Sequence, residues 1–498
     1  MMPLRGRAKG LLRREPVHAV AAAAALAAIA ARLPGAVGYP LWQDEVASAR
    51  ILIEPTPWAA VARVVDTEST PPLWYVLAWL VHHAGVPVVA TRGLSVLCGG
   101  ALAALVVFYA DRFLPLWAAG LAGLLAALGW QFVYHGRELR AYALFALLAV
   151  VFALLLEASV RAPTRARLAG LAVTSAAGAL THYFFLLTLG TGLLWLWTSR
   201  SAGAARGRVT AALGLSLLPF LAWLPGLIAQ QGDARLAWIT QFSGLKVAYL
   251  YSTVFASAGP LYVRDHPVDI GPAEAVGRFV LLAVVLAGAA VLARRSERAR
   301  LCALLGTVPV AAGVVGWLAG AQIFTTRNFL GAAPFACIAV AAAVAALPRR
   351  AAFATAAVAV VLVAAGYAQE RVLAPPPYDE AAAALVRDGW RRGDPVAIVG
   401  GAHRLFYLGN VHALQSPVQW YLPGHPELVS AAPRTTCARV YLLAPAGSGS
   451  LVADRAGVGR AARGEMLAGS LVVMRLPCTA GVAAAVPAAG GRWFESTG

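Results

Sequence analysis

Charge is scarce in this chain, and lysine is scarcer. Only 13% of its 498 residues are Asp, Glu, Lys or Arg, about half the ~25% usual in soluble domains. Lys9 and Lys246 are the only lysines, so nearly all of the 41 positive charges are arginine. There is no Walker loop, no G-x-S-x-G, no H-E-x-x-H and no G-x-G-x-x-G after a strand, so ATP-driven transport, serine hydrolysis and dinucleotide chemistry lack support. The five cysteines form no C-x-x-C, which leaves a zinc or redox motif without support. No A-x-A-like cleavage site follows the first apolar run, which therefore reads as a retained helix. No internal repeat is evident.

What is present is apolar. Hydrophobic residues make up 60% of the chain, and apolar runs of roughly 16 to 22 residues recur, close to the ~20 needed to cross ~30 Å of hydrocarbon. The sequence predicts eleven spans near 17–37, 93–110, 115–134, 138–158, 168–182, 184–199, 209–229, 276–294, 300–321, 328–347 and 351–369. The fold class expected is an all-α polytopic membrane protein with juxtamembrane helices. The net charge of +18 would point a soluble protein toward nucleic acid. Here the arginines sit in short loops between apolar runs, the positive-inside pattern, so no nucleic-acid partner is expected.

Parity fixes the arrangement. Arg5, Arg7, Lys9, Arg13 and Arg14 put the N-terminus in the cytoplasm. The segment 71–84 is apolar but short, and its double proline marks a helix start. If it does not span, the loops holding Arg161, Arg165 and Arg167, then Arg200, Arg206 and Arg208, then Arg294, Arg295, Arg298 and Arg300, then Arg349 and Arg350, all fall inside. If it spans, all fall outside. The segment is therefore read as a surface or re-entrant helix, with Trp74, Tyr75 and Trp79 suited to the interface. The same count puts 38–92, 135–137, the turn near 183, the turn Thr325–Arg327, the loop 230–275 and everything after 370 on the outer face.

Chemistry-bearing residues gather in those outer pieces. Asp44 and Glu45 are adjacent carboxylates beyond the first span, suited to a general base or a divalent cation; the competing reading is a helix N-cap. Asp66 and Glu68 read as a solvated loop before the surface helix. Arg92, at the outer end of the second span, is either a snorkelling arginine or an anion site. Arg137, Glu138 and Arg140 run against the charge bias, and guanidinium matches phosphate oxygens in pairs; the alternative is pairing with Glu138, Asp44 or Glu45. His135 is expected at the surface. His182 and Tyr183 interrupt an apolar stretch, as a polar interfacial turn or, for the histidine, in a direct catalytic role. Arg327 breaks the charge bias again, by snorkelling or by neutralising a phosphate. The loop 230–275 carries Trp238, Tyr249, Tyr251, Tyr262, Arg264, Asp265, His266 and Asp269, a mixture suited to sugar stacking or a lid. Trp420 and Tyr421 are no more specific.

After the proline-rich 374–377 the character changes. Helix and strand patterns alternate through AAAALVRDGW, DPVAIVG, ARVYLLAP and SLVVMRL, which predicts a small α/β domain. The expected division is a transmembrane catalytic domain at 1–370, an α/β extracytoplasmic domain at 371–480 and a flexible tail at 481–498. Cys437 and Cys478 are either disulfide-bonded or free thiols.

In order, WQDE, TPPLWYVL, RGLSVLCGG, YHGRELRAYAL, THYF and TTRNFLGAAP resemble the GT-C superfamily of membrane glycosyltransferases over about residues 15–370. The similarity is to the family 39 branch of protein O-mannosyltransferases, bacterial mannosyltransferase-like proteins and lipid A aminoarabinose transferases. The resemblance implies inverting transfer of mannose or another pentose or hexose from a polyprenyl-phosphate carrier to an acceptor glycan, lipid or protein at a bacterial inner membrane. It implies catalytic roles for Asp44 and Glu45, the first acid being the base, and puts Arg137, Glu138, Arg140 and Tyr142 on the family's R-E-x-R-x-Y-like segment. Carrier phosphate or sugar would be bound by Arg92, Arg137, Glu138, Arg140, His182, Tyr183 and Arg327. Where many members have His before the double proline, this chain has Thr70. No nucleotide cofactor is expected, and a metal requirement is left open. The competing readings are a transporter or flippase, which would carry charges near span midpoints, and a non-catalytic envelope-polymer assembly subunit.

Overall fold

Alanine, valine and leucine dominate the runs between the arginine-rich loops, and these runs fold as helices whose backbone groups are satisfied internally, as hydrocarbon requires. The computed structural model describes residues 14–231, 239, 243–255, 271–321, 323–372, 376–400, 411–435, 437, 439–445, 452–458, 463–467, 471–489 and 491–496. Among the described residues, seven helices are long and apolar enough to cross a membrane: Glu15–Gly38, Val89–Ala110, Tyr142–Arg161, Arg200–Gln230, Pro272–Arg295, Glu297–Leu318 and Arg349–Ala368. Shorter apolar helices cover Leu116–Leu128, Phe185–Thr198 and Ala333–Ala345. Helix Arg165–Thr181 occupies the remaining expected span. The protein is a multi-pass membrane protein, and each expected span falls on helix. The expected span 115–134 is broken, however. Gly129 ends one helix and begins the short helix Trp130–His135.

Local chemistry sets the boundaries. Ser296 and Thr164 accept backbone N–H groups at the starts of Glu297–Leu318 and Arg165–Thr181. Thr56 caps Pro57–Thr67 in the same way. The double proline puts Pro72 at the N-cap of Leu73–His83. At 11 residues and 1.5 Å per residue, that helix is about 16 Å long, too short to cross.

The chain divides into two units, residues 1–37 with 49–372, and residues 38–48 with 373–498. The boundary falls inside helix Gln43–Leu52, between Ser48 and Ala49.

In the first unit, the turns that carry most arginines share one end. Glu157, only 1% exposed at its side chain, meets Arg112 at 2.9 Å, Arg161 at 3.6 Å and Arg298 at 3.8 Å. Arg295 donates to the Phe113 carbonyl, and Trp195 Nε1 to that of Glu297. At the helices' other ends, Arg92 donates to Ala36 O, Gln131 to Leu250 O, and Gln230 Nε2 to Val64 O and Thr70 O. The grouping agrees with the parity of the charge count.

The second unit is a mixed six-stranded sheet. Its strands are β1 Val396–Val399, β2 Leu428–Ala431, β3 Val440–Pro445, β4 Arg463–Leu467, β5 Leu471–Leu476 and β6 Gly491–Ser496, in the order β2-β6-β1-β3-β5-β4. Among the described strands, β1 and β3 pair in parallel and the remaining pairs are antiparallel. Alternate side chains serve two cores. Val396, Ile398, Tyr441 and Leu443 pack with Tyr378, Leu385 and Val418, while Ala397, Val399, Val440 and Leu442 pack with Val482 and Val486. Both faces are covered, so β1 and β3 read as continuous apolar runs rather than alternating ones.

The expected flexible tail at 481–498 needs correction. Helix Ala480–Ala488 packs its Val482 and Val486 into a core, and β6 lies between β1 and β2 with Trp493 and Phe494 buried. Composition misled because alanine dominates the helix, while the strand carries only two large apolar side chains. Cys437 and Cys478 form a disulfide, and Cys98, Cys302 and Cys337 are free.

Candidate active site

The turn 136–141 links the short helix Trp130–His135 to the span Tyr142–Arg161 and carries Arg137, Glu138 and Arg140, all at least nine-tenths buried. A buried guanidinium requires partners. Arg140 Nη1 donates to both carboxylate oxygens of Glu68, at 2.8 and 2.9 Å. Glu68, expected in a solvated loop, is 4% exposed. Its burial follows from helix Pro57–Thr67 ending one residue earlier and folding back on Leu73–His83, whereas Asp66, two residues before, is exposed. Tyr75 bonds Thr70 Oγ1 at 3.0 Å and also reaches Glu68. Burial pushes the Tyr75 hydroxyl well above the usual phenol range, so it stays protonated. Thr70 thus serves as the partner of Tyr75.

Neighbouring groups extend the network. His135, expected at the surface, is 1% exposed and holds Glu138 Oε2 at 2.8 Å. Its ring lies 4.7 Å from that of Tyr142, whose ring is in turn 5.8 Å from His182. Arg327, in the turn Thr326–Phe329, has its guanidinium 5.8 Å from the Tyr142 ring. His182 lies in the turn between Arg165–Thr181 and Phe185–Thr198, stacked on Phe145 at 4.6 Å. Burial, then the charges of Arg327 and Arg140, push its imidazole down to about 3, so it is neutral. Arg140, Tyr142, His182 and Arg327 are thereby one constellation. Tyr183 belongs to its support: its hydroxyl bonds Gln230 Oε1 and receives the Trp223 indole N–H at 2.9 Å, and Gln230 holds the carbonyls of Val64 and Thr70.

The first span is the floor of this region. Arg92 Nη1 donates to Ala36 O at 3.2 Å. Arg137 lies over the Tyr134 ring at 5.3 Å and across Gly35, where an added Cβ would meet Arg137 Cδ at 2.6 Å. One turn lower is Arg32, fully buried, which sequence reasoning passed over. It donates to Ala28 O at 2.6 Å, Ala127 O at 2.8 Å and Ala126 O at 3.3 Å. Two of these carbonyls close helix Leu116–Leu128, whose end has no intrahelical donors. The signal was available: an arginine inside a predicted span is expensive and has a reason.

The acid pair belongs to the other unit. Both carboxylates lie in the first turn of helix Gln43–Leu52. Glu45 is 1% exposed and accepts from Trp42 N at 3.4 Å, so the capping role falls to Glu45 rather than Asp44. Asp44 is half-buried. Leu41 N donates to Tyr421 Oη at 2.7 Å, and Trp42 packs against the second unit's core. Tyr421 is therefore an anchor for the acid segment, and Trp420 is buried against His425.

In the 230–275 stretch, Tyr249 and Tyr251 are buried on helix Gly244–Ser252, not displayed on a loop. Arg278 covers the Tyr249 ring at 4.0 Å, and Tyr251 Oη donates to Gly306 O at 2.7 Å. Trp238, Tyr262, Arg264, Asp265, His266 and Asp269 lie outside the described residues. Among the described residues no group of three or more His, Cys, Asp or Glu side chains is placed to hold a metal ion.

Neither a protein-family model nor a curated protein sequence matches this chain. Solved structures do. The chain is similar to ArnT from Cupriavidus metallidurans in the apo state, with a TM-score of 0.54 and 12% identity over 96% of this chain and 99% of that one. It is equally similar to the same protein bound to undecaprenyl phosphate, with a TM-score of 0.54 and 12% identity over 92% and 97%. At this identity the likeness shows a shared fold.

Proposed function

We propose that this protein is an inverting glycosyltransferase of the bacterial inner membrane, which moves a sugar from a polyprenyl-phosphate carrier to an acceptor hydroxyl on the extracytoplasmic side. The observation that carries this reading is the set of arginines at one end of the first unit. Arg92, Arg137 and Arg140 are buried and Arg327 is half-buried, at the end away from the arginine-rich turns gathered on Glu157. Arginines gathered at one end near hydrocarbon make a positive surface that suits an anion, even with Arg140 already bonded to Glu68. A phosphate on a lipid supplies one. The fold shared with a protein solved with undecaprenyl phosphate agrees with it.

The step needs little machinery. Asp44 takes the proton from the acceptor hydroxyl. The acceptor oxygen bonds the anomeric carbon, the bond from that carbon to the phosphate oxygen breaks, and the carrier phosphate leaves with the electron pair. Arg137, Arg140, Arg327 and Arg92 stabilise the charge that develops there, with Glu138, His182 and Tyr183 at the same surface. Glu45 holds the turn that presents Asp44. The carrier arrives by diffusion in the bilayer, which fits a chain without a nucleotide loop. A cytoplasmic N-terminus with the second unit outside agrees with the charge count and with the Cys437–Cys478 disulfide, since disulfides persist in oxidising compartments. The sugar is mannose or a related pentose or hexose.

The test is Asp44→Asn in membranes that still insert the protein. Loss of sugar transfer with normal insertion supports the base. Full activity rules Asp44 out.

A further inference from the structure

Among the buried donors of the first unit that lack a hydrogen-bond partner among the described residues, His182 Nε2 is the one in the constellation with Arg140 and Arg327. His182 is 3% exposed. Its Nδ1 receives the Phe184 backbone N–H at 3.3 Å, which makes Nδ1 the acceptor and leaves the proton on Nε2. Nε2 has no hydrogen-bond partner among the described residues. An unmet buried N–H costs free energy, and the surrounding rings offer it nothing: Phe145 lies flat against the imidazole, Phe184 meets it edge-on, and Tyr142 is tilted 50° away at 5.8 Å. Two guanidinium groups, those of Arg327 and Arg140, act on the same imidazole.

We propose that His182 Nε2–H is a neutral hydrogen-bond donor to a phosphate oxygen held with Arg327 and Arg140. The assignment rests on the phosphate-carrier reading above and names an atom and a role within it. A third cation beside two guanidinium groups would add repulsion, whereas a neutral N–H adds a bond to the anion without it. Phosphate has enough oxygens to serve two guanidinium groups and a third donor at once. His182 is thus a binding residue, with no proton to take or give.

The test uses the full chain in nanodiscs and measures binding of a short-chain polyprenyl monophosphate, the matching uncharged polyprenol, inorganic phosphate and phosphatidylglycerol. His182→Phe keeps a ring on Phe145 and removes the donor; His182→Gln keeps a donor near the Nε2 position. A hydrogen bond to a charged group is lost in the Phe variant, so its affinity for the monophosphate falls roughly tenfold to hundredfold. Polyprenol binding and ligand-free thermal stability stay near wild type, and the Gln variant recovers most of the affinity. A His182-dependent preference for inorganic phosphate or phosphatidylglycerol would keep the donor and reassign the source of the phosphate. Unchanged monophosphate affinity in the Phe variant overturns the proposal, as does equal loss in both variants together with lowered thermal stability, which marks a packing role. If wild type binds none of the three phosphates, the carrier reading itself fails.

Discussion

Arg140 places a single guanidinium nitrogen within 2.9 Å of both carboxylate oxygens of Glu68, a residue 72 positions earlier. The side chains are 8% and 4% exposed, so this is a buried pair. Breaking such a pair by removing one partner costs about 3–5 kcal/mol, because the other charge stays buried. Glu68→Ala is expected to lower thermal stability in detergent by that order and to reduce transfer at least tenfold. A Glu68→Ala protein with unchanged melting and turnover would contradict the pairing.

Glycine is required where Arg32 and Arg137 cross the chain. A Cβ at Gly136 would come within 2.2 Å of Arg32 Nε and 2.4 Å of Phe132 O, and one at Gly35 within 2.6 Å of Arg137 Cδ. Gly136→Ala is expected to cost about 1–3 kcal/mol by overpacking and to impair transfer. Gly35→Ala displaces a side chain rather than backbone, so it should affect carrier affinity more than melting. Titration of carrier into both variants, with melting curves, separates the two.

Acid sensitivity follows from His182. Its unfolded imidazole takes a proton below about 6.5, while the folded one stays neutral down to about 3. The unfolded state therefore binds more protons between those values, and stability falls as pH drops through that window. His182→Gln removes this contribution, so its melting temperature should depend less on pH between 6.5 and 4 than that of wild type. Parallel curves would show that His182 is not held neutral.

The Cys437–Cys478 bridge closes a sequence separation of 41, for which chain entropy gives about 4 kcal/mol of stabilisation. Maleimide labelling of denatured protein should find three thiols before reduction and five after. Five before reduction would contradict the disulfide and the oxidising compartment it implies.

Much of the fold was legible in the sequence, because spanning helices are written in long apolar runs and their sides in arginine. Arg161 and Arg298, which parity assigns to one common side, both lie against Glu157. What escaped was set by tertiary contact. Glu68 reads as loop because nothing local shows that Arg140 returns to it. His135 reads as surface because its partner Glu138 lies in a turn with no periodicity. β6 was lost because a Gly- and Ala-rich approach hides a strand whose place in the sheet comes from β1 and β2. Glu157 and Arg32 were visible as charges inside apolar runs, but their partners were not. In the acid pair, the N-cap and base readings fall on neighbouring residues, Glu45 bonding the Trp42 N–H and Asp44 being the proposed base.

The central claim is transfer from a lipid-linked sugar. Membranes carrying the protein, incubated with a panel of radiolabelled polyprenyl-phosphate sugars beside membranes lacking it, should move label from one donor into an acceptor with inverted anomeric configuration, and Asp44→Asn should abolish the product. Label that crosses the bilayer still attached to its carrier, with no acceptor labelled from any donor, would contradict the account.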